Sequence, residues 1–322
     1  MQVSHTDVRA SNIADPESPA LLAAEVNSLP AAQRLYAAGD YQVTVARRDQ
    51  APHLMREIGR LREVSFREVG EGTGKPLDID VFDDWYQQLF VWNGRTRELV
   101  GAYRLCMMDE VRREQGPRGL YTKTLFRYDD AFLDRLGPAL ELGRSFVRPE
   151  YQGAGRALAL LWRGIAHLLA ARPRYRTLFG PVSVSAAYSE PARRLIAACL
   201  SSGPHRHPLA GHVAALRPVV QLGKQPDGLD EETKLLSRRV SELEPDKKGL
   251  PILVREYVKL GGKFLAFSTD PDFGGAMDGL VAVDLDRTNP KLLALYMGPE
   301  NYAHFRRFER STRPEAGAPA FV

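Results

Sequence analysis

The sequence predicts an α/β domain, in which short strands alternate with amphipathic helices. Three observations lead to this prediction. Residues 41–45 alternate apolar and polar side chains, as a half-buried strand does. Two apolar runs, 89–92 and 99–105, are joined across Asn93-Gly94, a dipeptide that favours tight hairpins. Residues 141–157 read as a strand, a glycine-containing loop and the first turn of a helix.

The elements before the hairpin follow in a simple order. Residues 1–40 are expected to form a polar tail and a short helix near 21–26. After the strand at 41–45, Pro52 stands where a helix can begin. The apolar residues behind it recur at helical spacing and predict the first long helix: Leu54, Ile58 and Leu61.

The central part of the chain continues the alternation. A strand is expected over 140–147 and an amphipathic helix over 156–171. A further strand fits 177–185 and a further helix fits 190–200. These elements assign the core of the domain to residues 41–203.

The last third divides by composition. Residues 204–249 are polar, contain several prolines and predict a long loop or lid. Residues 250–310 read as helix, strand, strand and helix, a C-terminal segment that completes the same core. Residues 311–322 are rich in Pro, Gly and Ala and predict a flexible tail.

Composition excludes several classes of protein. In 322 residues, 44% are hydrophobic and 26% charged, and no apolar run approaches the roughly 20 residues of a membrane-spanning helix. The N-terminus lacks the basic start and apolar stretch of a secretory signal. We therefore expect a cytoplasmic protein, with any membrane role peripheral and on the inner face. Cys106 and Cys199 stand in apolar contexts and indicate reduced core thiols.

The net charge of +4 permits an acidic partner without identifying one. The arginine clusters lack the aromatic interleaving of single-strand nucleic-acid binders, so no nucleic acid is expected. They read first as solvated faces and second as contacts for an acidic carrier protein or anionic lipid. The histidines between 205 and 212 lack a regular ligand spacing, and no metal site is expected.

The glycine-containing loop predicts a phosphate-binding site. The pattern Gln152-x-x-Gly155-x-Ala157 places small residues and unpaired backbone N–H groups at a helix N-terminus, where the helix dipole favours an anion. The residues expected to bind the phosphate-bearing donor are Gln152, Gly153, Ala154, Gly155, Arg156 and Ala157.

The order of these elements resembles that of the GNAT acyltransferase superfamily, whose phosphate loop matches at Gln152, Gly155 and Ala157. The resemblance implies a GNAT-like fold with a central mixed, mostly antiparallel sheet, splayed at the acyl-thioester site. Helices would cover both faces, with a C-terminal extension added. It also implies a thioester co-substrate, carried on acyl carrier protein phosphopantetheine or CoA, and no permanently bound cofactor.

Further motifs narrow the resemblance. They resemble the branch that includes acyl-homoserine-lactone synthases, long-chain N-acyl amino acid synthases and the hemolysin-like N-acyltransferases of ornithine-lipid synthesis. The C-terminal runs 250–262, 270–274 and 278–284 are similar to the hemolysin-like group. The upstream residues that carry the resemblance are Arg62, Phe66, Asp78, Asp80, Asp83, Arg104, Glu141, Arg144 and Ser145.

The resemblance implies transfer of a long-chain fatty acyl group from acyl carrier protein, or acyl-CoA, to the amino group of an amino acid or aminolipid. An ammonium must lose a proton before it attacks a thioester, so a carboxylate is expected near it, with Glu141 as the first candidate. No Ser-His-Asp or Cys-His arrangement is evident, which favours direct attack by the amine. The expected catalytic residues are Glu141, Arg144 and Ser145, with the oxyanion held by backbone N–H groups near Phe146 and Val147.

The resemblance assigns the remaining residues to substrate binding: Arg62, Phe66, Asp80, Asp83, Gln88 and Arg104. Asp80 and Asp83 would bind the acceptor or order a loop. Arg104 or Arg144 would hold an acceptor carboxylate, or form internal salt bridges with the nearby acids. Strand alternation places Arg144 on the opposite face from Glu141. Gln88 stands where the hemolysin-like group has a His, and an amide is no base near neutral pH.

Two other functions fit the same motifs. One is transfer of acetyl groups from acetyl-CoA to a small metabolite or a protein amine, which needs the same phosphate loop. The other is a non-catalytic module that binds an acyl carrier or a membrane surface and retains the fold.

Overall fold

The computed structural model describes residues 12–153, 155–219 and 233–312. The strands are β1 (Arg34–Ala38), β2 (Tyr41–Arg47), β3 (Gln87–Asn93), β4 (Glu98–Met107), β5 (Phe126–Arg127), β6 (Ala139–Val147), β7 (Thr177–Val184), β8 (Ala214–Ala215), β9 (Lys263–Asp270) and β10 (Ala276–Asp284). The helices are α1 (Pro19–Ser28), α2 (Pro52–Glu68), α3 (Met108–Gln115), α4 (Asp130–Leu136), α5 (Arg156–Ala171), α6 (Glu190–Leu200), α7 (Thr233–Leu243), α8 (Ile252–Lys259), α9 (Pro290–Met297) and α10 (Pro299–Thr312).

A central sheet holds these elements together, in the spatial order β1–β2–β3–β4–β6–β7–β10–β9. Neighbouring strands run antiparallel except β6 and β7, which are parallel. Asn93 and Glu98 are the last paired residues of the β3–β4 hairpin, as the Asn-Gly signal predicted. The predicted mixed, mostly antiparallel sheet is confirmed. β5 and β8 form a separate two-stranded ladder.

Helices cover both faces of the sheet, and the two longest, α2 and α5, each carry one apolar stripe. On one face α5 buries Leu161, Ile165 and Leu168 against residues of β2, β3 and β4. On the other face α2 buries its own apolar stripe against β4 and β6. Pro52 begins α2, since a proline at the first helical position loses no intrahelical hydrogen bond.

Several described segments add detail to the sequence-based organisation. Within residues 1–40, β1 forms an edge of the sheet beside β2. Within 204–249, the part up to 219 follows the outer edge of β9, where His207 N–H donates to the Phe264 carbonyl and Thr269 N–H to the Arg217 carbonyl. Farther along, α7 buries Leu236 and Val240 in the main core.

Residues 1–11, 220–232 and 313–322 lie outside the described residues, and the tail and lid predictions fall partly on them. Ala154, predicted to bind phosphate, also lies outside them. In the three described ranges no helix combines the length and hydropathy needed to cross a membrane.

The feature that positions the functional site is the separation of β6 from β7. These strands pair only at Ala139–Thr177, Leu140–Leu178 and Glu141–Phe179, after which β7 pairs only with β10. Gly180 stands at the point of divergence. A Cβ there would lie 2.0 Å from the Leu142 carbonyl oxygen, so only glycine lets the two backbones approach this closely.

Candidate active site

A cleft opens where β6 and β7 part, and both strands contribute to its walls. Gly143, Arg144 and Ser145 line it from β6, and Pro181, Val182 and Ser183 from β7. Phe66 from α2, Phe273 from the β9–β10 turn and Asp278 from β10 complete one side. Tyr103 from β4, with Leu253 and Tyr257 from α8, closes the other.

A β-bulge at Arg144 shapes the β6 wall. Ala102 of β4 pairs with Phe146, but Arg104 pairs with Gly143, so Tyr103 alone faces two residues of β6. Arg144 takes the extra position with φ of 48°, a left-handed conformation that a non-glycine residue rarely adopts. Strand alternation predicted opposite faces for Glu141 and Arg144. Instead both contact the segment 121–122, because the bulge interrupts the alternation.

Arg144 binds acids and aromatic rings on the α2 side of the sheet. Its Nε lies 3.1 Å from Asp78 Oδ2 and its Nη2 lies 3.9 Å from Asp80 Oδ2. Its Nη1 donates a hydrogen bond of 3.0 Å to the Tyr121 hydroxyl. The guanidinium carbon also lies 4.6 Å from the centre of the Phe273 ring, within cation–π range. These contacts fix a permanent positive charge at the cleft.

The α8 side of the cleft carries hydroxyl groups in an apolar wall. The hydroxyl of Tyr103 is buried near those of Ser145 and Tyr257 and has no hydrogen-bond partner among the described residues. Burial raises the pKa of Tyr103 to about 12, although these two hydroxyls partly offset the effect of burial. Tyr103 therefore stays protonated at neutral pH. Leu253 and Val182 make the surface around this group apolar.

Two carboxyl groups that sequence reasoning did not select lie at the opposite part of the cleft: Asp278 lines it, and Glu71 lies behind Ser183, which also lines it. Asp278 is only 5% exposed, and its Oδ2 has no hydrogen-bond partner among the residues described. Glu71 accepts a hydrogen bond of 3.0 Å from the Ser183 hydroxyl. Burial raises the pKa of Glu71 to about 7, while Ser183 and Arg144 act in the opposite direction. Burial, Glu71 and Asp270 together raise the pKa of Asp278 well above its usual range.

Three of the predicted substrate-binding residues form a closed buried network. The Arg62 and Asp83 side chains are both 0% exposed and are joined at 3.0 Å. Gln88 accepts a hydrogen bond of 2.6 Å from Arg62 and donates one of 2.9 Å to Asp83. Gln88 thus uses its carbonyl and its amino group at once. Burial acts to raise the pKa of Asp83, but Arg62 and Arg104 outweigh it and hold that pKa well below its usual range.

Arg104 joins this network to the 3-10 turn that precedes β3. It lies 2.6 Å from Asp80 and 3.4 Å from Asp83. Asp80 and Asp83 form a capping box on that turn. The Asp80 carboxylate accepts from a backbone N–H within the turn, and the Asp83 carboxylate accepts from the Asp80 N–H. The Arg104 side chain is 1% exposed and sits against the rings of Tyr86 and Tyr121. Of the two alternatives the sequence left open for Arg104, the geometry matches the internal salt bridge.

Glu141 lies beneath the cleft and outside its lining. Its carboxylate accepts hydrogen bonds from the Tyr86 hydroxyl and, at 2.7 Å, from the Thr122 N–H. The Tyr86 hydroxyl in turn accepts from the Tyr121 N–H at 2.9 Å. Burial raises the pKa of Glu141, and the bonds from Tyr86 and Thr122 offset part of that rise. Glu141 therefore holds the segment that carries Tyr121 against the sheet.

The phosphate loop connects β6 to α5. Gly153 and Gly155 have φ of 96° and 65°, and Gly155 is the N-cap of α5. The first turn of α5 has neither a side-chain cap nor an acidic residue, which leaves its backbone N–H groups open to an anion. Gln152 donates a hydrogen bond of 2.8 Å to the Val147 carbonyl. Arg156 is exposed, with its guanidinium carbon 4.7 Å from the Tyr41 ring centre, and Ala157 is buried.

The structure therefore brings together only part of the predicted site. Phe66, Arg144 and Ser145 line the cleft. Phe146 and Val147 pair with β4 beyond the bulge, at the end of β6 that leads into the phosphate loop. Sequence reasoning missed Glu71, which lies behind Ser183, and these residues that line the cleft: Tyr103, Tyr121, Ser183, Leu253, Tyr257, Phe273 and Asp278. For Asp278 a signal existed, since it is the one acid inside the otherwise apolar run 276–283.

Comparison with known proteins gives matches over most of the chain. Residues 61–163 match the family model described as an acetyltransferase (GNAT) domain. The glycine N(alpha)-acyltransferase of Bacteroides thetaiotaomicron is 33% identical over 295 residues, covering 84% of this chain and 86% of that protein. The L-ornithine N(alpha)-acyltransferase of Rhodobacter capsulatus is 31% identical over 238 residues, covering 69% of this chain and 81% of that protein.

Among solved structures, the chain is similar to FeeM, an N-acyl amino acid synthase from uncultured soil microbes. The two share 10% identity with a TM-score of 0.41, over 80% of this chain and 98% of that one.

Proposed function

The chain belongs to the GNAT-type N-acyltransferases, and we propose that it moves a long-chain fatty acyl group from a phosphopantetheine thioester to the amino group of an amino acid or aminolipid. Its relatives are named for glycine and L-ornithine, so these are the first acceptors we propose. The proposed donor is acyl carrier protein, with acyl-CoA as the second choice. Both carry the same phosphopantetheine arm.

The observation that carries this proposal is the continuity of the cleft with the phosphate loop. β6 lines the cleft with Arg144 and Ser145 and then leads directly into the uncapped N-terminus of α5. If the donor's phosphate binds at the N-terminus of α5, its pantetheine arm can lie along β6. The edge of β6 that faces β7 has no strand partner beyond Glu141 in the described part of the chain. Backbone groups of β6 there are free to bind the arm, with those near Phe146 and Val147 proposed for the oxyanion.

The chemistry requires no covalent enzyme intermediate. The acceptor amine loses a proton, attacks the thioester carbonyl, and the carbon–sulfur bond breaks as the carbon–nitrogen bond forms. Ser145 is the proposed donor of a proton to the leaving thiolate, because its hydroxyl lines the cleft. Arg144 is the proposed partner of the acceptor carboxylate. Glu141 is proposed as a positioning residue that holds Tyr121, and the buried network of Arg62, Asp80, Asp83, Gln88 and Arg104 as the support beneath it.

An aminolipid acceptor would require contact with the inner membrane face. Ile252 is 60% exposed at the start of α8, next to Leu253, which lines the cleft. An apolar side chain at the rim supports entry of an acyl chain or a lipid from that side. We propose a peripheral position for the aminolipid case only.

The test uses the full chain with three donors: palmitoyl carrier protein, palmitoyl-CoA and acetyl-CoA. Each is incubated with glycine, ornithine, pooled amino acids or lyso-aminolipids, and products are read by mass spectrometry. We expect N-palmitoyl products. Product from acetyl-CoA alone would overturn the long-chain donor, and no product from any donor would favour the non-catalytic module.

A matched pair of serine variants tests the site itself. Ser145→Ala should lower kcat by about tenfold or more, since a positioned proton donor contributes roughly 10²- to 10⁴-fold. Ser28→Ala, at the exposed end of α1, should leave kcat unchanged. Equal rates for both variants would remove Ser145 from the mechanism.

A further inference from the structure

Two carboxyl groups lie on either side of Ser183, across the cleft from Ser145: Asp278 lines the cleft beside Ser183, and Glu71 is hydrogen-bonded to Ser183 from behind. Asp278 of β10 pairs in register with Ser183 of β7, and the hydroxyl of Ser183 donates to Glu71. Asp278 and Glu71 are 5% and 8% exposed. Burying two acids beside each other is unfavourable unless a cation or a proton lies between them.

Among the described residues, Asp278 lacks a partner for one of its two carboxylate oxygens. Asp278 lines the cleft, and its buried Oδ2 has no hydrogen-bond partner in the described part of the chain. The permanent cation whose charge acts on Asp278 is Arg144, which is engaged by Asp78 at 3.1 Å and by the Tyr121 hydroxyl at 3.0 Å. An unpaired carboxylate oxygen at this depth fits a donor that arrives with the substrate.

We propose that Asp278 and Glu71 bind the ammonium group of the acceptor, and that Glu71 removes its proton. The inference rests on the proposed function and names the base for it. Arg144 on the facing wall supplies the opposite charge, so the cleft offers a cation and two acids to a zwitterion. In the described ranges no group of three metal-ligating side chains is placed to hold a metal ion, which favours an organic cation.

The proton balance of the step is simple. The Glu71 carboxylate takes one proton from the acceptor ammonium and leaves a neutral amine. The amine attacks the thioester carbon, and the sulfur leaves with the electron pair of the carbon–sulfur bond. The sulfur takes a proton from the Ser145 hydroxyl, and the second proton of nitrogen returns to Ser145. Glu71 then releases its proton to solvent. The products are an amide and a free thiol.

The groups around Glu71 suit this role. Burial raises the pKa of Glu71 to about 7, so both of its protonation states are populated near neutral pH. Arg144 faces it from β6, Asp278 from β10 and Tyr188 from the turn before α6. Asp270 of β9 and Tyr121 face Asp278. Burial raises the pKa of both tyrosines, so neither is charged in the working range.

The test measures kcat/KM for the acceptor against pH in the full chain, with the donor saturating. Glu71→Gln should lower kcat by about 10²-fold or more and remove the inflection near pH 7, since a general base contributes roughly 10²- to 10⁴-fold. Asp278→Asn should raise the acceptor KM about tenfold or more, because a charged partner is lost. The KM for the donor should stay within about twofold in both, which also reports that the variants are folded.

Two further variants separate this role from a structural one. Ser183→Ala removes a hydrogen bond that lowers the Glu71 pKa, so its inflection should move to higher pH. Glu141→Gln should keep the inflection near pH 7. An inflection that survives in Glu71→Gln, or that disappears in Glu141→Gln, would overturn the assignment. If the unmodified chain transfers no acyl group to any amine, the proposed function itself fails, and the two failures are thereby distinguished.

Discussion

Removal of the charge from Asp83 should destabilise the fold far more than the same change at its neighbour Asp84. Asp83 neutralises Arg62, whose side chain is 0% exposed, and also lies 3.4 Å from Arg104. Asp83→Asn leaves Arg62 buried without its counter-charge. Breaking a buried ion pair from one side costs about 3 to 5 kcal/mol. With a urea m-value of about 3 kcal/mol/M, the unfolding midpoint should fall by roughly 1 to 1.7 M.

Asp84→Asn is the matched control. Asp84 and its partner Arg48 are 54% and 44% exposed, and an exposed pair of this kind contributes about 0 to 1 kcal/mol. Equilibrium unfolding is followed by tryptophan fluorescence and by circular dichroism, in urea because guanidinium would screen the ion pairs. A loss for Asp83→Asn no larger than that for Asp84→Asn would refute the reasoning.

The pH dependence of the stability lost in Asp83→Asn gives a second measurement. Because the folded-state pKa of Asp83 is depressed, its stabilising contribution is complete above the unfolded-state pKa, near 4. It is lost as the pH falls through the folded-state value. The difference in unfolding free energy between the unmodified chain and Asp83→Asn should therefore be constant from pH 7 to pH 5 and shrink below about pH 4. A difference that grows on acidification would contradict this sign.

Three other predictions concern single positions. Gly180→Ala would place a Cβ 2.0 Å from the Leu142 carbonyl oxygen, so we expect a lower melting temperature and reduced turnover, and an unchanged melting curve would contradict the close approach. Gly155→Ala forces a left-handed residue at the start of α5, at a cost of about 1 to 2 kcal/mol, and should raise the donor KM while the acceptor KM stays unchanged. Burial raises the pKa of the Cys106 thiol well above its usual range, so the folded protein should resist labelling of Cys106 by a thiol reagent, and rapid labelling before unfolding would contradict its burial.

The sequence carried enough information for the sheet and its phosphate loop, because both depend on local signals. Asn93-Gly94 predicts a hairpin from two residues, and Pro52 and Gly155 mark helix starts through their own backbone preferences. The edge strand β1 carried no such signal, since it is short and only partly buried.

The composition of the cleft depended on information that is not local. Glu71 and Asp278 meet through Ser183, and only the position of β10 beside β7 brings the three together. The bulge at Arg144 adds one residue to β6 and reverses the side that simple alternation assigns. Arg62 and Asp83 were predicted to bind substrate. In the structure both side chains are buried and pair with each other inside the protein.

The short pairing between β6 and β7 has a consequence for how the chain is made. β7 gains most of its hydrogen bonds from β10, which is synthesised only after α6, α7, α8 and β9. Until then β7 presents an open edge to other chains, the kind of edge that promotes aggregation. Full-length chains should therefore be the stable species during expression, and products truncated before β10 should be insoluble. The short pairing between β6 and β7 thus forms the cleft in the folded protein and leaves β7 prone to aggregation in the incomplete chain.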